Sequence, residues 1–219
     1  MCVKNRMISL LYKCVAIFLT GLGIFLSLGL PDAFHPVMFQ YFTIQSNLLC
    51  FFFLVFSAFH CVKEMKLERE EGCTDFMPHF KGAVIMAITL TMLIYQFLLS
   101  PSPFALLNTD GNITSNLLHF IVPMLIIFDY LLFDEKGNFS DKDPWCWLIV
   151  PYLYYFFVII APYFHITYQD GSRYPYYFID IDLLGYMPVI GFIVFLTAIY
   201  LIGGYFLVGL DHFLKKWYK

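Results

Sequence analysis

Charge is what this chain has least of. Only 13% of its 219 residues are Asp, Glu, Lys or Arg, about half the ~25% of an average soluble domain. A water-soluble fold of this length could not hide a 60% hydrophobic composition without spreading it over its own exterior, which excludes that class. Basic residues are equally scarce. The net charge is −3, no basic stripe is present, and no nucleic-acid partner is expected. The six cysteines include no C-x-x-C pair of the kind that holds zinc. Cys2, Cys61, Cys73 and Cys146 fall in segments predicted to face the cytoplasm, and Cys14 and Cys50 fall inside apolar runs, so no disulfide framework is expected.

What the chain has instead is long apolar runs, at about residues 8–30, 39–62, 82–100, 113–133, 145–164 and 187–210. A spanning helix needs roughly 20 such residues and a barrel strand about half that. The third run is the weakest, because Pro101 and Pro103 end it early. The expectation is an all-α membrane protein, a polytopic six-transmembrane-helix bundle forming one integral domain over 1–219. The first run has no small-x-small cleavage site before Pro31 and reads as an anchor, not a removable signal.

Orientation follows from the 13 Lys and Arg residues. Lys4, Arg6 and Lys13 open the chain, Lys63, Lys66, Arg69 and Lys81 join spans two and three, Lys136 and Lys142 join four and five, and Lys215, Lys216 and Lys219 end it. All fall on one side, leaving Arg173 alone on the other, which predicts cytoplasmic termini and residence in the cell membrane. Trp145, Trp147 and Trp217 then mark the inner interface, and Tyr163, Tyr168, Tyr174, Tyr176 and Tyr177 the outer one. The mixed charges from Lys63 to Glu71 suit a solvated helical extension of span two. The segment Tyr174-Pro175-Tyr176-Tyr177-Phe178-Ile179-Asp180 reads either as an aromatic strap over the outer mouth or as an ordinary interfacial loop.

Two polar side chains inside the runs carry the chemistry. Span two opens Phe39-Gln40-Tyr41-Phe42-Thr43-Ile44-Gln45-Ser46-Asn47, which sets Thr43 roughly 6 Å below its outer end. Ser46 and Asn47 share its helix face. Span four opens Asn112-Ile113-Thr114-Ser115-Asn116-Leu117-Leu118-His119, which sets His119 roughly 9 Å deep, with Asn116 on the same face. Polar groups at such depth are costly without a role. A hydroxyl and an imidazole at matching depth are the parts of a nucleophile and its base, and they meet if spans two and four are neighbours, which sequence does not show. Asn47 and Asn116 are candidate oxyanion donors, and Asp180 or Asp182 a candidate to hold the imidazole. Taken singly, Thr43 can be explained by a bond to its own backbone one turn back, and His119 by bridging two helices. Asp129, deep in span four, is expected to be paired or hydrated near the inner interface.

The stretches Phe39–Leu49, Asn116–Pro123 and Tyr174–Asp180 together resemble the androgen-induced-protein family of membrane hydrolases, most closely its microbial branch of integral membrane proteins. The resemblance runs from the first span to the sixth. Animal members hydrolyse fatty acid esters of hydroxy fatty acids with an intramembrane threonine and a histidine. The resemblance therefore implies Thr43 as nucleophile and His119 as general base and acid. The flanking sequence departs from the animal pattern, so the chemistry carries over without the substrate. On this reading no metal or organic cofactor is needed, and the partners are membrane lipids and a lipid ester. The oligomeric state is left open. The rival is a non-enzymatic membrane protein, a small-ligand or ion permease or a scaffold, using the same residues for binding or helix packing.

Overall fold

The computed structural model describes residues 2–67, 69, 71–100, 113–164, 167, 168 and 171–217. Among them six helices are long and apolar enough to cross a membrane: α1 (Arg6–Ser27), α2 (Phe42–Lys66), α3 (Pro78–Leu99), α4 (Ile113–Phe133), α5 (Asp143–Phe164) and α6 (Tyr186–Trp217). The chain is an all-α, multi-pass membrane protein.

Local chemistry sets where these helices begin and end. Asn5 starts α1 by accepting the Ile8 N–H at 3.1 Å, a side-chain cap that extends the helix ahead of its apolar run. Beyond Ser27 the chain turns through Gly29, whose φ of +78° suits a residue without a Cβ. α2 opens only at Phe42, because Pro36–Gln40 wind into a separate 3-10 turn. α3 and α5 start earlier than their apolar runs, each with a proline in its first turn, Pro78 and Pro144, where the missing N–H costs nothing. α6 continues past its apolar run to Trp217, with Lys215 and Lys216 in the last turn, where cations favour a helix C-terminus.

α3 is the axial helix, touching α2, α4, α5 and α6. Small residues allow this. A Cβ on Gly82 would lie 2.1 Å from the Trp147 ring, so glycine is what lets α5 come this close. The Trp147 indole then donates to the His79 carbonyl at 2.7 Å. α4 packs on α1, α2 and α3, so spans two and four are neighbours.

At the end of the bundle that carries both termini, the charges are paired inside. Asp129 accepts from Lys13 at 2.7 Å and from Lys81 at 2.6 Å, and Lys81 also reaches Asp134 at 2.6 Å. Lys13 donates as well to the Ser9 hydroxyl at 2.9 Å. Two ammonium groups thus meet two carboxylates in an apolar setting, the arrangement that makes buried charge tolerable. Lys13 and Lys81, counted by sequence among the basic residues of one face, are both buried.

One expectation fails at this end and one holds only in part. Cys2 and Cys73 form a disulfide, where none was expected. The helical extension after span two carries Lys63, Glu64 and Lys66 but not the charges beyond them. α2 stops at Lys66 and the chain folds back on the N-terminus. Gly72 donates to the Lys4 carbonyl at 2.7 Å and Thr74 to the Phe133 carbonyl at 3.0 Å, while the Arg6 guanidinium gathers the carbonyls of Arg69, Glu71 and Cys73. Local charge spacing favours a helix, but these long-range backbone bonds outweigh it and bring the two cysteines together.

Candidate active site

Thr43 sits in the first turn of α2, just after the extended residue Tyr41. Its carbonyl accepts from the Asn47 amide at 2.7 Å and the Ser46 hydroxyl at 3.1 Å. Ser46 also bonds to Thr91 of α3 at 2.8 Å. The other Asn47 bond crosses to the Leu118 carbonyl of α4 at 3.2 Å. The polar stripe of span two is thus turned into the bundle, as a lipid setting requires, and its Asn47 pins α2 to α4.

His119 lies in a π turn, Leu117–Ile121, closed by the Val122 N–H reaching back to the Leu117 carbonyl. The cause is Pro123, which has no N–H to give to the His119 carbonyl four residues before it. A second π turn, Tyr95–Leu99, ends α3, closed by Ser100 onto the Tyr95 carbonyl at 2.7 Å. Such widened turns recur at functional sites. These two bring Tyr95 flat onto the imidazole, with ring centroids 3.8 Å apart.

The imidazole is oriented from one side. Its Nδ1 faces the Ser115 carbonyl at 3.0 Å and the Ser115 hydroxyl at 3.3 Å, and that hydroxyl donates to the Tyr95 hydroxyl at 2.7 Å. A carbonyl can only accept, so Nδ1 carries the proton and Nε2 presents its lone pair. Nε2 lies 3.3 Å from Thr43 Oγ1, the arrangement in which a hydroxyl donates to its base. Both side chains line one cavity of about 530 Å³, together with Tyr41, Tyr95, Ser115 and Tyr176. Tyr176 also borders an apolar groove lined by Phe42, Tyr154, Phe178 and Ile179.

The other predicted site residues are placed elsewhere. Asn47 spends its amide hydrogens on two carbonyls, so it is no oxyanion donor. Neither Ser46 nor Asn116 lines the cavity. Asp180 does not hold the imidazole: it caps a short turn through the Leu183 N–H at 2.9 Å and accepts from Ser172 at 3.0 Å. Asp182 pairs with Arg173 at 2.6 Å. The part guessed for a carboxylate falls to the Ser115 carbonyl, which no side-chain pattern announces. In the cavity wall, sequence reasoning missed Tyr95, whereas Tyr176 comes from the segment read either as a strap or as an interfacial loop. Tyr95, a polar-tipped ring inside the apolar third run, was the available signal.

From the cavity toward Asp129 the buried residues are mainly apolar: Cys50 and Leu54 on α2, Val84 and Ile88 on α3, Val122 and Ile126 on α4. Among the described residues no three His, Cys, Asp or Glu side chains converge in a way that could hold a metal ion. In comparisons with known proteins, the chain matches no family model, no curated protein and no solved structure.

Proposed function

We propose that this protein is an intramembrane threonine hydrolase that cleaves lipid esters. The observation that supports it best is the Thr43 hydroxyl standing 3.3 Å from His119 Nε2 on the wall of a cavity. Thr43 gives its proton to Nε2 and attacks the ester carbonyl; the imidazolium then protonates the departing alkoxide. Water repeats the sequence in reverse on acyl-Thr43. Positioned acid–base catalysis of this kind contributes about 10²–10⁴-fold. The 3.3 Å separation is long for a hydroxyl–imidazole bond, as is usual before substrate tightens such pairs. The resemblance to the androgen-induced-protein hydrolases supports the same residues in the same roles, with fatty acid esters of hydroxy fatty acids as one substrate to try.

The basic residues favour cytoplasmic termini, which sets the cavity toward the outer leaflet, where a lipid ester enters sideways from the bilayer. A permease would need polar groups leading on from the cavity; the mainly apolar stretch between Thr43 and Asp129 is why we prefer the hydrolase.

The test is turnover of a panel of lipid esters by purified protein in detergent, beside Thr43→Ala and His119→Ala checked for folding by size-exclusion behaviour. Loss of turnover in both folded variants is expected. Activity surviving both substitutions would overturn the assignment.

A further inference from the structure

Acyl transfer needs a donor for the charge that develops on the carbonyl oxygen, and Asn47 is spent. Tyr176 is placed to serve. Its ring is clamped on the strap, stacked on Phe178 at 5.3 Å and edge-on to Tyr41 at 5.7 Å, and it forms part of the same cavity wall as Thr43 and His119. The polar groups that act on its phenol are the Thr43 side chain and the Phe42 and Thr43 N–H groups. Those two N–H groups head α2, where a helix leaves its first donors without backbone partners; the first bonds in the turn come from Ile44 and Gln45, both to the Tyr41 carbonyl. Burial pushes the Tyr176 phenol up, and the Phe42 and Thr43 N–H groups beside its oxygen pull it partly back. Those donors polarise the O–H toward whatever sits beside Thr43.

We propose, on the hydrolase reading, that Tyr176 is a catalytic residue whose hydroxyl receives the oxyanion formed when Thr43 attacks an ester. Thr43 Oγ1 passes its proton to His119 Nε2 and its electron pair to the carbonyl carbon. The carbonyl π pair moves onto oxygen, where Tyr176 donates a hydrogen bond and keeps its proton. That pair returns to rebuild the carbonyl, the bond to the leaving oxygen breaks, and the imidazolium protonates the alkoxide. The strap thus completes the site as well as covering it.

The experiment is Tyr176→Phe, which keeps the ring, assayed on paired p-nitrophenyl and alkyl esters of one fatty acid. An oxyanion donor serves both substrates alike, so kcat falls about a hundredfold on each with KM within threefold. In trapped acyl-Thr43 the carbonyl infrared band moves to higher wavenumber, a signature that altered packing alone would not give. Tyr177→Phe, the exposed neighbour, is the control and keeps full rate. A loss confined to the alkyl ester would make Tyr176 a proton donor to the leaving group and overturn the proposal, as would an unshifted band. An active wild type matched by an equally active Tyr176→Phe sinks this role alone. A wild type that turns over neither ester sinks the hydrolase reading with it.

Discussion

The Tyr95 ring lies flat on the His119 imidazole, its plane only 15° away, and its hydroxyl takes the hydrogen of Ser115, whose carbonyl holds Nδ1. On the hydrolase proposal, Tyr95 is a positioning residue. Tyr95→Phe keeps the stack and is expected to retain activity within about fivefold. Tyr95→Ala frees the ring and lowers kcat by ten- to a hundredfold, the order of loss that a displaced catalytic group brings. Measuring kcat and KM separately checks this, because an unpositioned base lowers kcat and spares KM.

Asn47 makes a sharper test than its size suggests. Its amide donates to two carbonyls, Thr43 on its own helix and Leu118 on the next. Asn47→Ala leaves both without that partner, at about 1–3 kcal/mol each where no other donor reaches them. Asn47→Asp has the same shape but turns oxygen lone pairs on oxygen. The aspartate variant is expected to melt below the alanine variant in detergent. The reverse order would mean that Asn47 contributes bulk and not donors.

The buried ions at the terminal end give a third prediction. Lys81→Met leaves Asp134 without its cation and Asp129 with one partner fewer. Breaking such a cluster from one side costs about 3–5 kcal/mol. Removing Lys81 and Asp134 together should cost less than the sum of the single losses, measured as Tm in a double-mutant cycle. Where folding survives, ester turnover is expected to be unchanged, which a proton-relay role for the cluster would contradict.

The Cys2–Cys73 bond and the basic residues around it make opposite demands. Disulfides persist in oxidising compartments, whereas positive charge marks the cytoplasmic face. With cytoplasmic termini, acid-quenched cells should yield both thiols free to alkylation, and the bond should close on purification in air. A bond already closed in the quenched cell would reverse the orientation.

Much of this was readable in the chain. Hydropathy alone gives six helices, because a bilayer permits little else. Thr43 and His119 stand out because polar groups at depth are rare, and similar depth made them a candidate pair; that α2 and α4 touch was not legible in the chain. What stayed hidden depends on backbone and on distance. The carbonyl of Ser115 carries no side-chain signal, and the π turns at Tyr95 and His119 rotate side chains by amounts that a 3.6-residue period does not give. The burial of Lys13 and Lys81 stayed hidden for the same reason: it depends on a partner on another helix.

That partner has a consequence for how the protein is made. Lys13 and Asp129 stand 116 positions apart, so α1 enters the bilayer well before α4 has been synthesised. A lysine well inside a span costs about 2.5–3.5 kcal/mol on insertion scales, which early in synthesis holds α1 with its ammonium stretched toward the headgroups. α3 brings a second cation, Lys81, and still no fully buried acid among the spans. Only when Asp129 emerges can both be drawn inward. The fourth span is thus the one that supplies the acid shared by both lysines, and a chain halted before it is expected to leave both cations without that partner.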